Sequence, residues 1–194
     1  MWWLLVPEAY LLGTFPTADL VARRVSRGEV DLRAAGSGNP GSANAMKVLG
    51  KGAGAQVLAG DVVKGMAASV VGGAVAGPAG AHLAGTSAVV GHCYPVWTGF
   101  RGGKGVATSV GQVLGTFPMY FPVDAVVGFA ASRSSAFQRQ AFAATEIASA
   151  TWVAFATLWW RKRWPNPGGP EPTVGLPLAA LATGAIIRYR FVQT

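Results

Sequence analysis

Apolar runs long enough to cross a bilayer alternate with short polar stretches along the chain. Met1 to Ala22 is the first, interrupted only by Glu8, Asp19 and a few hydroxyls. It lacks a basic start and a small-residue cleavage site, so it is expected to stay attached as a span. Arg23, Arg24 and Arg27 follow at once and put this end in the cytoplasm. A polar loop then runs to about Gly54. Gln56 to Gly77 and Ala79 to Trp97 read as the second and third spans. Val106 to Ala131 is broken by Pro118 and Pro122, which predicts one kinked span or two short ones in a hairpin. A polar stretch, Ser132 to Gln140, precedes a span from Phe142 to Trp160 that ends on an interfacial tryptophan pair. Arg161, Lys162 and Arg163 and a proline-rich turn lead to a short closing run, Leu176 to Ile187, stopped by Arg188 and Arg190. The pattern predicts an all-α integral membrane protein, a polytopic bundle of six or seven transmembrane helices. It would form a single membrane domain over residues 1–194, with cytoplasmic glycine-rich loops at about 23–54 and 98–105.

Composition agrees. Hydrophobic residues make up 51% of the chain and charged ones only 12%, about half the usual share for a soluble domain. The net charge of +8 gathers between the apolar runs, as basic residues do in cytoplasmic loops beside anionic headgroups. No basic helix or aromatic-basic interleaving accompanies it, so nucleic acid is not expected as a partner. Charge barely separates six spans from seven. Six would leave 11 loop cations inside and 4 outside (Arg133, Arg139, Arg188, Arg190). Seven would leave 12 inside and 3 outside (Arg161, Lys162, Arg163). Either way both glycine-rich loops face the cytoplasm. The single cysteine, Cys93, excludes an internal disulfide, and its neighbours lack metal-ligand spacing; a packed, inert thiol is expected.

Those loops carry the candidate chemistry. Gly36 to Asn44 reads GSGNPGSAN, and Phe100 to Gly105 reads FRGGKG. Glycine lets the backbone turn its N–H groups toward an anion, and cations beside it add charge. Ser37, Asn39, Ser42 and Asn44 are short polar side chains suited to a phosphate or carboxylate, with Lys47 one turn beyond. Arg101 and Lys104 charge the second loop. Taken singly, each run can be an ordinary turn; two of them beside cations on one membrane side point to one phosphate-handling site. The spacing is not that of a Walker A loop. Asp61 and Lys64, three apart on one helical face, can form an ion pair. At membrane depth such a pair marks either an interfacial helix start with a snorkelling lysine or a device that orients the loops. His92 is either a base or a packed residue at a span end. No nucleophile–base constellation for covalent catalysis is legible.

GSGNPGSAN at 36–44, GDVVKG at 60–65 and GHCYPVWTGFRGGKGVAT at 91–108 resemble the bacterial membrane glycerol-3-phosphate acyltransferases that use acyl phosphate as donor. The resemblance runs from the first span to about Thr108 and more loosely beyond. It implies seven spans, a cytoplasm-facing site and a place in the bacterial inner membrane. It also implies acyl transfer from acyl phosphate to the sn-1 hydroxyl of glycerol 3-phosphate, giving lysophosphatidic acid for phospholipid synthesis, with no cofactor, metal or thioester donor. Membrane lipids and the two substrates are then the partners. Ser37, Gly38, Asn39 and Asn44 fall on the first family motif, and Lys47 stands where the family usually has arginine. Gly102, Gly103 and Lys104 fall on the second, where backbone amides and the lysine would hold phosphate and stabilise charge on the acyl oxygen. Lys104 and Ser37 are the expected catalytic residues, with Arg101 beside them in binding.

Two places depart from the family pattern. Phe142 stands near an expected serine, and Ser132, Ser134 and Ser135 are out of register. The family's terminal His-Arg-Glu-Asn-type motif, which meets the acceptor, has no histidine or asparagine counterpart in RYRFVQT at 188–194. Arg188 and Arg190 would have to substitute, or the acceptor differs, or activity is lost. The alternatives to an acyltransferase are a non-catalytic relative that binds phospholipid precursors and a small membrane transporter. Transport would predict an internal repeat, and none is visible.

Overall fold

The structure is a computed structural model describing residues 2–133 and 140–193. Every described element is helical. The first apolar run is two helices, α1 (Leu5–Gly13) and α2 (Thr17–Ser26), separated where Pro16 denies the helix a donor. The break exposes the Phe15 carbonyl, which accepts a bond from Lys64 Nζ at 3.2 Å. The polar loop expected up to Gly54 contains a helix of its own, α3 (Ser42–Leu49).

Helix α4 (Lys51–Cys93) is a hairpin rather than a rod. Ala76 and Gly77 leave helical geometry, Gly77 at φ +62° and ψ −157°, a region open essentially to glycine, and Pro78 follows. The arms, 51–75 and 78–93, then run back along each other. A Cβ on Gly72 would overlap the Gly80 carbonyl, and the reverse holds for Gly80. Asp61 and His92 would lie about 46 Å apart on a straight helix, yet His92 Nδ1 is 3.5 Å from Asp61 Oδ1. Small residues let backbones approach in the same way elsewhere. Gly13 and Gly91 seat α1 on the second arm, while Gly65, Gly111 and Gly115 seat α5 (Val106–Thr116) on the first.

The remainder is built from larger side chains. α5 and α6 (Phe121–Arg133) form a pair bent by 119° at the expected proline break. Phe117, Tyr120, Trp152 and Trp159 fill the space between that bend and helix α7 (Gln140–Lys162). Asn166 Nδ2 donates to the Thr116 and Pro170 carbonyls and fixes the proline-rich turn. Helix α8 (Gly175–Gln193) then runs back so that Arg190 meets the glycines of the second loop. Arg188 and Arg190 therefore lie on the loop side, as the seven-segment charge count requires. Residues 134–139 of the expected polar stretch, with Ser134, Ser135 and Arg139, lie outside the described residues.

By length and composition, Lys51–Thr98 and Ala141–Lys162 are apolar enough to cross a membrane, each with a mean hydropathy of 1.3. The bent α5–α6 pair makes a third candidate. Val63, Val70, Val75, Val126, Leu178 and Leu181 expose their side chains on the outside of the bundle, as lipid-facing residues do.

Candidate active site

The two glycine-rich loops meet. Both line a single cavity of about 790 Å³, the first with Ser37, Asn39, Gly41 and Asn44 and the second with Lys104 and Gly105. Arg33 joins them: its guanidinium pairs with Asp19 of α2 while its Nε donates to the Arg101 carbonyl at 2.9 Å.

Asn44 shapes the first loop. Its Oδ1 accepts the Ser37 N–H at 2.8 Å, and its Nδ2 donates to the Leu32 and Ala35 carbonyls, each at 3.0 Å. The carboxamide is thus spent on holding the turn, and Ser37 is carried to the cavity by it. Gly38, at φ +75°, supplies the left-handed step but does not line the cavity. Asn39 does line it, with its buried Oδ1 unpartnered among the described residues.

The second loop is held differently, and here the expected amide cradle is corrected. The Gly102 N–H donates to the Cys93 carbonyl and the Gly103 N–H to the His92 carbonyl, both at 3.1 Å. Their own carbonyls accept from Arg190, Nη2 to Gly102 O at 2.8 Å and Nε to Gly103 O at 3.3 Å. These amides cannot also face a ligand. Their glycines are needed for close approach: a Cβ on Gly103 would overlap the His92 ring, and one on Gly102 the His92 carbonyl. The available backbone donors lie one step later, in the first turn of α5, whose leading N–H groups have no intrahelical partner. Gly105, Val106 and Ala107 bring that turn to the cavity. Gly41, Ser42 and Ala43 bring the first turn of α3 to the same space. Two helix N-termini thus converge beside Lys104, an arrangement suited to a phosphate.

Behind the loop, Asp61 Oδ1 is 2.8 Å from Lys64 Nζ, with the two side chains 3% and 5% exposed. A lysine buried to that degree is not snorkelling. Asp61 also lies against His92, whose ring packs on Gly103, and both Asp61 and His92 line the cavity. Lys104 Nζ lies 4.1 Å from the Phe191 ring centroid, a cation–π contact that keeps it at the mouth of the cavity. Cys93 is buried and unpaired, as expected.

A family model described as glycerol-3-phosphate acyltransferase matches residues 3–193. The chain belongs to the glycerol-3-phosphate acyltransferase family. A relative from Gloeobacter violaceus carrying that name is 43% identical over 155 residues, 75% of each chain. One from Rubrobacter xylanophilus is 47% identical over 116 residues, 59% of this chain and 57% of the relative. The chain thus spans little more than half the length of that relative. Among solved structures it is similar to PlsY (YgiH), an integral membrane glycerol 3-phosphate acyltransferase, in its glycerol 3-phosphate form (TM-score 0.82). The lysophosphatidic acid form matches at TM-score 0.83. Both are 29% identical and cover 99% of this chain and 88% of the other.

Within this family member the expected site residues divide. Ser37, Asn39, Asn44 and Lys104 line the cavity. Gly102 and Gly103 stand beneath it. Lys47 and Arg101 are exposed and do not line the cavity. Of the two cations proposed to replace the terminal motif, Arg188 is exposed and paired with Glu146 at 2.6 Å, and Arg190 is bound to loop carbonyls. Arg33 is the residue that sequence reasoning gave no role at the site; Asp61, His92 and Arg190 were noted without their partners. Asp61 carried a signal as a charge inside an apolar run, His92 as a candidate base and Arg190 as a terminal cation, but the contacts each makes were not legible.

Proposed function

We propose that the protein transfers an acyl group from acyl phosphate to the sn-1 hydroxyl of glycerol 3-phosphate, releasing lysophosphatidic acid and inorganic phosphate. It would work as a single multi-pass domain of seven segments in the bacterial inner membrane, counting α1–α2 as one and each arm of α4 separately. The observation that carries the reading is one cavity with two unlike ends. At the loop end, two helix N-termini, Lys104 and Ser37 suit a phosphate and a charged acyl oxygen. At the inner end, Val113, Phe121 and Trp152 suit an acyl chain.

In the reaction, the acceptor hydroxyl attacks the acyl carbon and a new ester C–O bond forms. The bond from that carbon to the bridging phosphate oxygen breaks, and the electron pair leaves with the phosphate. The hydroxyl proton departs on the same phosphate, so the balance closes without a metal or a covalent enzyme intermediate. Lys104 neutralises charge on the donor. Ser37 donates a hydrogen bond to it, and the unpaired end of Asn39 is placed for the acceptor.

The test is radiolabelled acyl transfer by the purified protein in liposomes, with glycerol 3-phosphate and either acyl phosphate or acyl-CoA. Product from acyl phosphate alone is the expected result. Acyl-phosphate binding without turnover would instead identify a non-catalytic relative.

A further inference from the structure

Past the loops the cavity runs inward between α5, α6 and α7, and its α7 wall is uniform. Ala141, Ala144, Thr145, Ala148 and Ser149 all line it, at the three- and four-residue spacing of one helix face, and all are small. The next lining residue on that face is Trp152, about 16 Å along the axis from Ala141. Trp152 is only 4% exposed, and its indole Nε1 is buried without a hydrogen-bond partner among the described residues. A phenylalanine would avoid that cost, so the size of the ring is what the position uses.

The ring is also fixed. Tyr120 stacks on it with centroids 6.4 Å apart and planes at 12°. Tyr120 is itself held by its hydroxyl, which lies 2.8 Å from the Ala148 carbonyl and 2.6 Å from Thr151 Oγ1. Val113 from α5 and Phe121 from α6 close the same end. A ligand whose phosphate is anchored at Lys104 and the start of α5 therefore meets a rigid floor at a set depth.

We propose that Trp152 is the gauge that sets the longest acyl chain the protein accepts. This rests on the acyl-transfer reading above and adds the residue that decides which donors it takes. Shortening the floor lengthens the groove, and filling the small-residue wall above it shortens the groove.

The experiment measures kcat/KM with saturated acyl phosphates from decanoyl to eicosanoyl for the native protein, Trp152→Ala and Ala148→Leu. Relative to the longest donor the native protein uses well, one that is two carbons longer should gain about tenfold in Trp152→Ala, the worth of two newly buried methylenes. Ala148→Leu should move the optimum to shorter chains by a similar factor while keeping turnover of the shortest donors. If Trp152→Ala does not accumulate, Ala148→Leu decides. Active variants that keep the native chain-length profile overturn the gauge and leave the acyl-transfer reading intact. No transfer by the native protein from any acyl phosphate overturns that reading, and the gauge with it.

Discussion

The two glycine-rich loops look alike as text and are built on opposite principles. In the first, one side chain organises the backbone: Asn44 spends both ends of its carboxamide on Leu32, Ala35 and Ser37. In the second, the backbone is gripped from outside: carbonyls of α4 take its amides and Arg190 of α8 takes its carbonyls. A glycine that opens an N–H to a ligand and one that lets a chain slide past a neighbour look identical in sequence. Only the partner of the N–H tells them apart.

The sharpest way to break that contrast is Gly103→Ala. The added methyl overlaps the buried His92 ring, whose neighbours Asp61 and Lys64 leave it nowhere to go, so turnover should fall by more than about 100-fold. Expression and mobility in size-exclusion chromatography serve as the fold control; near-native turnover would mean that the loop does not need this packing.

Arg190→Ala comes next. Loss of two charge-assisted bonds to loop carbonyls should lower kcat by roughly 30-fold and change KM for glycerol 3-phosphate little. A selective rise in that KM would instead make Arg190 an acceptor-binding residue. Arg190→Lys, which keeps charge and loses the fork, should fall between.

Asn44→Ala removes three bonds from a turn that stays partly solvated, and about a tenfold loss is expected. Asn44→Asp should not rescue it, because a carboxylate cannot donate to Leu32 and Ala35; full rescue would show that only the Ser37 bond matters. Gly38→Ala tests the left-handed step, since an added Cβ would meet only the Arg33 carbonyl at 3.4 Å, and strain at φ +75° predicts a loss of severalfold in thermal inactivation assays or turnover. The smallest effects belong to Lys47→Ala and Arg101→Ala, each within about a factor of 2 in turnover. A large loss at either would bring a charge into the site that the geometry leaves outside it.

Much of the fold was legible because lipid imposes long apolar runs, and proline and glycine mark where they break. Pro118 and Pro122 announced the α5–α6 turn, and the Asp61–Lys64 spacing announced their pair. The two apolar runs Gln56–Gly77 and Ala79–Trp97 are the two arms of α4, and the structure adds why they part there: Gly77 leaves helical geometry and Pro78 follows. The meeting of the two loops followed from their shared side of the membrane. Long-range grips were not legible: no local pattern says that Arg190 reaches Gly102, 88 residues away, or that Arg33 spans both loops. The amide assignment at Gly102 and Gly103 failed for the same reason, since their acceptors come from His92 and Cys93 across a turn. Helix α3 was hidden because Gly50 and the serine–asparagine run mask an eight-residue helix whose stability comes from packing on α4.

The grip of α8 on the second loop sets an order of events during biosynthesis. Membrane segments leave the ribosome in sequence, so both loops and most of the cavity wall exist before the 19 residues of α8 emerge. Until then Gly102 and Gly103 have no Arg190, and Lys104 has no Phe191 to rest on. A nascent chain stalled in the proline-rich turn therefore has both loops in place but the second one ungripped. Insertion of α8 is the event that completes the grip on the second loop.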